Sequence, residues 1–142
     1  MNRAKLKSQL IVDEGRVASA YKDSLGFLTI GVGHLIDRRK GGKLSDAAID
    51  FILDEDIDKT YATLTDALPW VQQLDDARQN VLLNMAFNLG VGGLLKFKKT
   101  LEHVKAGRYG AAAVEMLQSD WAKQVGSRAD RLSIVMELGR LP

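Results

Sequence analysis

Near the N-terminus, apolar residues recur at helical spacing, with Leu6, Leu10 and Val12 or Asp13 on one side and Arg3, Lys5 and Lys7 on the others. The pattern predicts a short amphipathic helix over residues 3–14, stopped by Gly15. From Ala20 to Ile36 the residues turn β-branched and aromatic, with Tyr21, Phe27, Thr29, Ile30, Val32 and Ile36 broken by the turn-like Asp23-Ser24-Leu25-Gly26. A small hairpin or three-stranded antiparallel sheet is expected there. Alternation sends Phe27, Thr29, Gly31 and Gly33 to one face and Leu28, Ile30 and Val32 to the other, which should be the core face.

Helical periodicity returns after a polar loop at residues 38–43, where Ser45 is a good N-cap for a helix running to about Leu64. Its inner stripe reads Ile49, Ile52, Leu53, Asp56, Thr60 and Leu64, and its length suits a connector between lobes. Asp56 falls on or beside that stripe, so it needs a cationic or hydrogen-bonding partner, with His34 as the candidate. Leu68-Pro69-Trp70 breaks the pattern, and Asp75 or Asp76 then caps a helix through Asn88 that Gly90 ends. Val81, Leu82, Met85, Ala86 and Leu89 make that helix largely buried; Asn84 and Asn88 are the polar exceptions, and as buried amides they need partners, either core backbone or a bound sugar. One or two short helices follow over residues 94–106, ended by Gly107, with His103 a surface residue. An Ala-rich helix covers residues 109–117, and Ser127 caps a last helix closed by Gly139.

Composition narrows the class. A chain of 142 residues with 46% hydrophobic and 27% charged residues is an ordinary globular chain, sized for one domain. The absence of cysteine excludes disulfides and thiolate catalysis, and two histidines are too few for a typical histidine-rich metal site. No apolar run approaches the length of a membrane span, and the N-terminus lacks the apolar core of a signal peptide, so the product is expected to stay in the cytoplasm without stable membrane insertion. The net charge of +2 gathers in Arg38-Arg39-Lys40, Lys43 and Lys96-Lys98-Lys99, which suits a polyanion or simply a solvated basic surface. Trp121 with Arg128 and Arg131 could be read as an aromatic and basic nucleic-acid patch, but packing is the better reading of Trp121, and no nucleic-acid partner is expected.

Candidate chemistry concentrates in EGRVASAYKDSLGFLTIGVGH, residues 14–34. Glu14 stands where the first helix runs out, Asp23 in a turn, and Thr29 in the strand before Gly31 and Gly33. Two carboxylates in unlike surroundings are what glycosidic bond cleavage requires: one protonated to donate to the leaving oxygen, one ionised to activate water or stabilise positive charge. The negative end of the helix dipole nudges the carboxyl of Glu14 towards the protonated form that an acid catalyst needs. Taken singly, each acid reads as a helix-terminal or turn residue on a solvated surface.

Glu14, eight intervening residues, Asp23, five more, Thr29 and then Ile-Gly-Val-Gly-His resembles the catalytic signature of the phage-type lysozymes, endolysins that cut bacterial peptidoglycan. The similarity continues through Ala-Phe-Asn-Leu-Gly at 86–90, Trp121 and Arg128-Ala129-Asp130-Arg131. It implies an α+β, mainly α, single catalytic domain over residues 1–142: a small lobe at about 15–60 with the hairpin or three-stranded sheet, a larger helical lobe from 1–14 and 61–142, a long joining helix, and a cleft. The implied reaction is hydrolysis of the β-1,4 bond between N-acetylmuramic acid and N-acetylglucosamine, causing host lysis. Glu14 is then the general acid, Asp23 stabilises the oxocarbenium-like transition state or acts as base, and Thr29 helps hold the water. A water held between Asp23 and Thr29 favours inversion at the anomeric centre.

By the same resemblance Gly33, Leu35, Phe87, Asn88 and Glu115 bind substrate, while His34, Asp56 and Arg128 support the site, Arg128 by pinning Glu14. No cofactor is needed. The expected partner is peptidoglycan, whose acidic stem peptides and accompanying teichoic acids suit the basic residues. A monomer is expected, made in the host cytoplasm and reaching the wall once a separate membrane-permeabilising protein lets it across. The chain departs from better-known relatives in being short after Leu138 and in carrying the acids Glu115 and Asp120 on the distal wall. Two rivals stand beside this reading. A lytic transglycosylase acts on the same bond with one glutamate, against which Asp23 speaks; an inactive wall-binding phage structural module is disfavoured by the complete Glu14, Asp23 and Thr29 set.

Overall fold

The computed structural model describes residues 1–22, 24–31, 34–35 and 43–142, with Glu14 described by its backbone alone. The described chain is mainly helical and forms two compact units, residues 1–52 and 53–142. The division falls inside one continuous helix.

The first unit opens with α1, Arg3–Glu14, whose N-cap Asn2 accepts a hydrogen bond from the Lys5 backbone N–H. Gly15 ends it at φ 75°, and its N–H closes the last turn on the Ile11 carbonyl at 3.0 Å. The chain then forms β1 (Val17–Lys22), β2 (Leu28–Gly31) and β3 (His34–Leu35), an antiparallel sheet in that order. Tyr21 and Leu35 flank Thr29 in register, and an irregularity between Val17 and Tyr21 bends the first strand. The faces differ from the alternation reading: Thr29 is the buried residue of β2, while Leu28 and Ile30 are only half-buried. Thr29 pairs with Tyr21 on one side and Leu35 on the other.

The helix α2, Asp46–Ala67, starts as expected, with the Ser45 hydroxyl accepting from the Ala48 N–H at 3.2 Å. Ile49, Ile52, Leu53 and Asp56 are exposed, and burial on this helix is confined to Leu64 and Thr65. Asp56 is therefore a solvent-facing carboxylate rather than a member of a buried stripe. No helix among the described residues is long and apolar enough to cross a membrane.

The core of the second unit is helical. A 3₁₀ turn at Pro69–Gln73 leads into α3 (Asp76–Leu89), capped by the Asp75 carboxylate, followed by α4 (Val91–Leu94), α5 (Lys98–Lys105), α6 (Tyr109–Leu117), α7 (Asp120–Val125) and α8 (Ser127–Leu138). Val81, Leu82, Met85 and Ala86 of α3 pack into one cluster with Leu94, Leu101, Val104, Met116 and Met136. Burial of each large aliphatic side chain contributes about 1.5–3 kcal/mol, the main force holding these short helices together. Gly126 rather than Ser127 precedes α8; the Ser127 hydroxyl instead accepts from Arg131 Nη1 at 3.2 Å. Gly139, in the left-handed region at φ 68°, ends it.

Candidate active site

Of the three expected chemical groups, the backbone position of Glu14 and the whole of Thr29 are described, whereas Asp23 lies outside the described residues. Glu14 is the last residue of α1, at the negative end of its dipole, and the first helical turn after it is cut off by Gly15. Thr29 sits on the central strand with 5% of its surface exposed, and its hydroxyl donates to the Phe27 carbonyl at a long 3.3 Å. Lys22, at the end of β1, and Ser24, in the turn, bracket the Asp23 position. Leu35, paired with Thr29 across the sheet, and His34 are exposed on β3; Gly33 lies outside the described residues.

The second unit gathers other nominated residues at two places. Phe87 and Arg128 line a cavity of about 390 Å³ together with Ile57, Leu83 and Asn84. There the Arg128 Nε donates to Asn84 Oδ1 at 2.9 Å and Nη2 reaches the Asn84 carbonyl at 3.4 Å. The pairing expected between Arg128 and Glu14 falls on a side chain outside the described residues. Asn84 and Asn88, expected to be buried, are both exposed, yet each has a partner: Asn88 Oδ1 accepts from the Trp121 indole N–H at 2.9 Å. They stand on the flank of α3, one step off its buried stripe.

Glu115 lines a second, larger groove of about 800 Å³. Trp121, 4% exposed and meeting Phe97 edge to face at 6.1 Å between ring centres, forms part of its wall. Lys96, Lys98 and Lys99 line it as well, so the basic cluster noted in sequence borders a concave surface. Thr100, in the same lining, is a residue that sequence reasoning missed. Its signal was present: it shares the buried face of α5 with Leu101 and Val104, an unusual place for a hydroxyl.

A small antiparallel sheet following a helix that ends in glutamate, and then a helical unit with its own core, defines the lysozyme-like α+β class. The chain belongs to the phage lysozyme family, matching it over residues 12–134. Two similar proteins from Dictyostelium discoideum, probable T4-type lysozymes 1 and 2, are 29% and 28% identical over alignments of 162 residues that cover 96% of this chain and 95% of each relative. The pre-baseplate central spike protein Gp5 of Enterobacteria phage T4 is 28% identical over 154 residues, covering 91% of this chain but 27% of that protein. The chain is accordingly a lysozyme-type enzyme, a glycoside hydrolase.

Proposed function

We propose that this enzyme hydrolyses the β-1,4 bond between N-acetylmuramic acid and N-acetylglucosamine of bacterial peptidoglycan by inversion. The observation that carries the reading is the Glu14, Asp23 and Thr29 spacing, which lies wholly inside the family match at residues 12–134. Glu14 donates its proton to the leaving oxygen, helped by its place at the negative end of α1. Asp23 faces the charge that develops on the sugar and draws a proton from the attacking water, which the Thr29 hydroxyl helps to hold. Gly33, Leu35, Phe87, Asn88 and Glu115 contact the substrate, with His34, Asp56 and Arg128 supporting the site. The biological role is host cell lysis by a monomer that acts on the wall after a separate protein has permeabilised the membrane.

Product analysis tests this. Fragments ending in a free reducing sugar are expected; an intramolecular anhydro sugar in their place would make the enzyme a lytic transglycosylase. Early-time NMR should show the α-anomer first, and initial β-anomer would assign retention and remove the water-holding role from Asp23 and Thr29.

One observation favours a second reading. Since a segment equivalent to 91% of this chain occurs inside a central spike protein, a lysozyme module of this kind can serve as part of a phage structural assembly. Sedimentation of the expressed chain with phage particles, rather than release free in the lysate, would support that role.

A further inference from the structure

A hollow of about 310 Å³ on the second unit is bordered by two aromatic rings from different elements: Trp70, in the 3₁₀ turn before α3, and Tyr109, the first residue of α6. It shares no lining residue with the groove around Glu115 and none with the Glu14, Asp23 and Thr29 set. Its size falls within the range of about 300–1,000 Å³ found for ordinary ligand sites. Both walls are built in advance. The Arg78 guanidinium lies 3.5 Å from the centre of the Tyr109 ring, covering one face, and is held by Asp75 and by two carbonyls of α8. On the other side, Gln79 Nε2 donates to the Leu74 carbonyl at 2.8 Å and fastens the end of the 3₁₀ turn.

The polar tips around this hollow have no partners. Among the described residues, the Trp70 indole N–H, the Tyr109 hydroxyl and the Gln73 amide make no hydrogen bond, and Lys105 makes no ion pair. Both rings are half-buried, so their apolar faces are already partly withdrawn from water while their polar ends are not engaged. Gly107 turns the chain between α5 and α6 at φ 76°, and a Cβ built there would meet no neighbour within 4 Å, so this edge of the hollow stays open.

We infer that this hollow is a second saccharide-binding site, taking a single sugar unit, that holds the enzyme on the glycan strand; the choice of a glycan rests on the proposed peptidoglycan substrate. A pyranose has an apolar C–H face and a rim of hydroxyl and acetamido groups, which match aromatic faces edged by donors and acceptors. An apolar peptide side chain would leave those polar tips and the ammonium of Lys105 unpaired. A nucleobase would stack too, but Lys105 alone gives no track for a phosphate backbone. A glycan strand repeats its sugars, so a second weak hold on the same polymer multiplies retention rather than adding to it.

The test follows the two indole N–H resonances of the isotope-labelled protein by NMR, with Trp70→Phe identifying the Trp70 signal, during titration with the N-acetylglucosamine trimer. The Trp70 signal should shift saturably. The double variant Gln73→Ala with Lys105→Ala changes exposed side chains alone and should weaken that response about tenfold, two hydrogen bonds being lost. Its retention on insoluble peptidoglycan should fall as well, with circular dichroism confirming that it folds. A Trp70 signal unmoved by the trimer, or an equal response from the folded double variant, overturns the inference, as does a shift produced by oligothymidylate and not by the trimer. A Trp70 response without release of reducing ends from peptidoglycan leaves this site standing and overturns the proposed hydrolysis.

Discussion

Arg78 and Met136 lie 58 residues apart in sequence, and the Arg78 Nε–H donates to the Met136 carbonyl at 2.7 Å. Nη2 of the same guanidinium donates to the Glu137 carbonyl at 2.8 Å, and the group lies 3.5 Å from the centre of the Tyr109 ring. A cation from α3 thereby satisfies carbonyls at the negative end of α8, where the helix has no partners of its own. With its side chain only 13% exposed, Arg78 is the polar tie between the start of α3 and the end of α8. Arg78→Ala should lower stability in urea by about 2–4 kcal/mol, two charge-assisted hydrogen bonds being lost at once. Arg78→Lys keeps the charge without the fork and should recover only part of the loss.

Gly139 is matched to that guanidinium. A Cβ built on it would stand 2.5 Å from Arg78 Nη1, and its φ of 68° is itself unfavourable for side chains. Gly139→Ala should therefore cost about 1–2 kcal/mol for the backbone alone, plus displacement of Arg78. In a cycle with Arg78→Ala, the second part should vanish, and strict additivity of the two substitutions would show that they do not act on one another.

Asp75 makes this corner sensitive to acid. Burial pushes its carboxyl up, but the Arg78 backbone N–H, the Arg78 side chain at 2.9 Å and the charge of Arg78 together outweigh burial, leaving its pKa below the usual value. A depressed folded pKa gives stability that is present above the unfolded pKa and lost as pH falls through the folded one. The stability gap between wild type and Asp75→Asn should therefore be constant at neutral pH and shrink below about pH 4. Urea midpoints across that range measure it.

Glu14→Gln is the direct test of the proposed acid. A general acid contributes about 10²–10⁴-fold, so the folded variant should lose that much of its rate while keeping the affinity for peptidoglycan. Near-wild-type turnover by a properly folded Glu14→Gln protein would remove Glu14 from the chemistry.

Gly110, in the first turn of α6, has an ordinary backbone conformation and open space where a Cβ would go. Gly110→Ala should raise stability by about 0.5–1 kcal/mol through helix propensity, read as an increase in Tm.

Much of this architecture was legible because local rules and burial agree. The α3 stripe of Val81, Leu82, Met85 and Ala86, its Asp75 cap and its Gly90 stop all stand where periodicity puts them. Residues 109–117 form α6 as expected, and Gly15 ends α1. Where the reading failed, it had relied on one dimension. Asn84 and Asn88 were assigned burial from their apolar neighbours, but a helix rotates by 100° per residue and places them on its open flank. The short α7 escaped notice since six residues carry too little periodicity, although Ser119 caps it by accepting from the Ala122 N–H. Of the candidate site, Glu14, Asp23 and Thr29 are nominated by spacing alone, whereas spacing could not indicate the groove around Glu115, because Lys96, Thr100, Glu115 and Trp121 meet only once α4 to α7 have packed.

Trp121 has a further use. The chain contains two tryptophans, and one of them lines the groove with its indole N–H held by Asn88. The other, Trp70, borders a separate hollow beside Tyr109. With Trp70 replaced by Phe, all indole emission would come from the groove, so the molecule carries its own optical reporter: a ligand entering beside Trp121 should change the colour and quenching of that light without any attached dye.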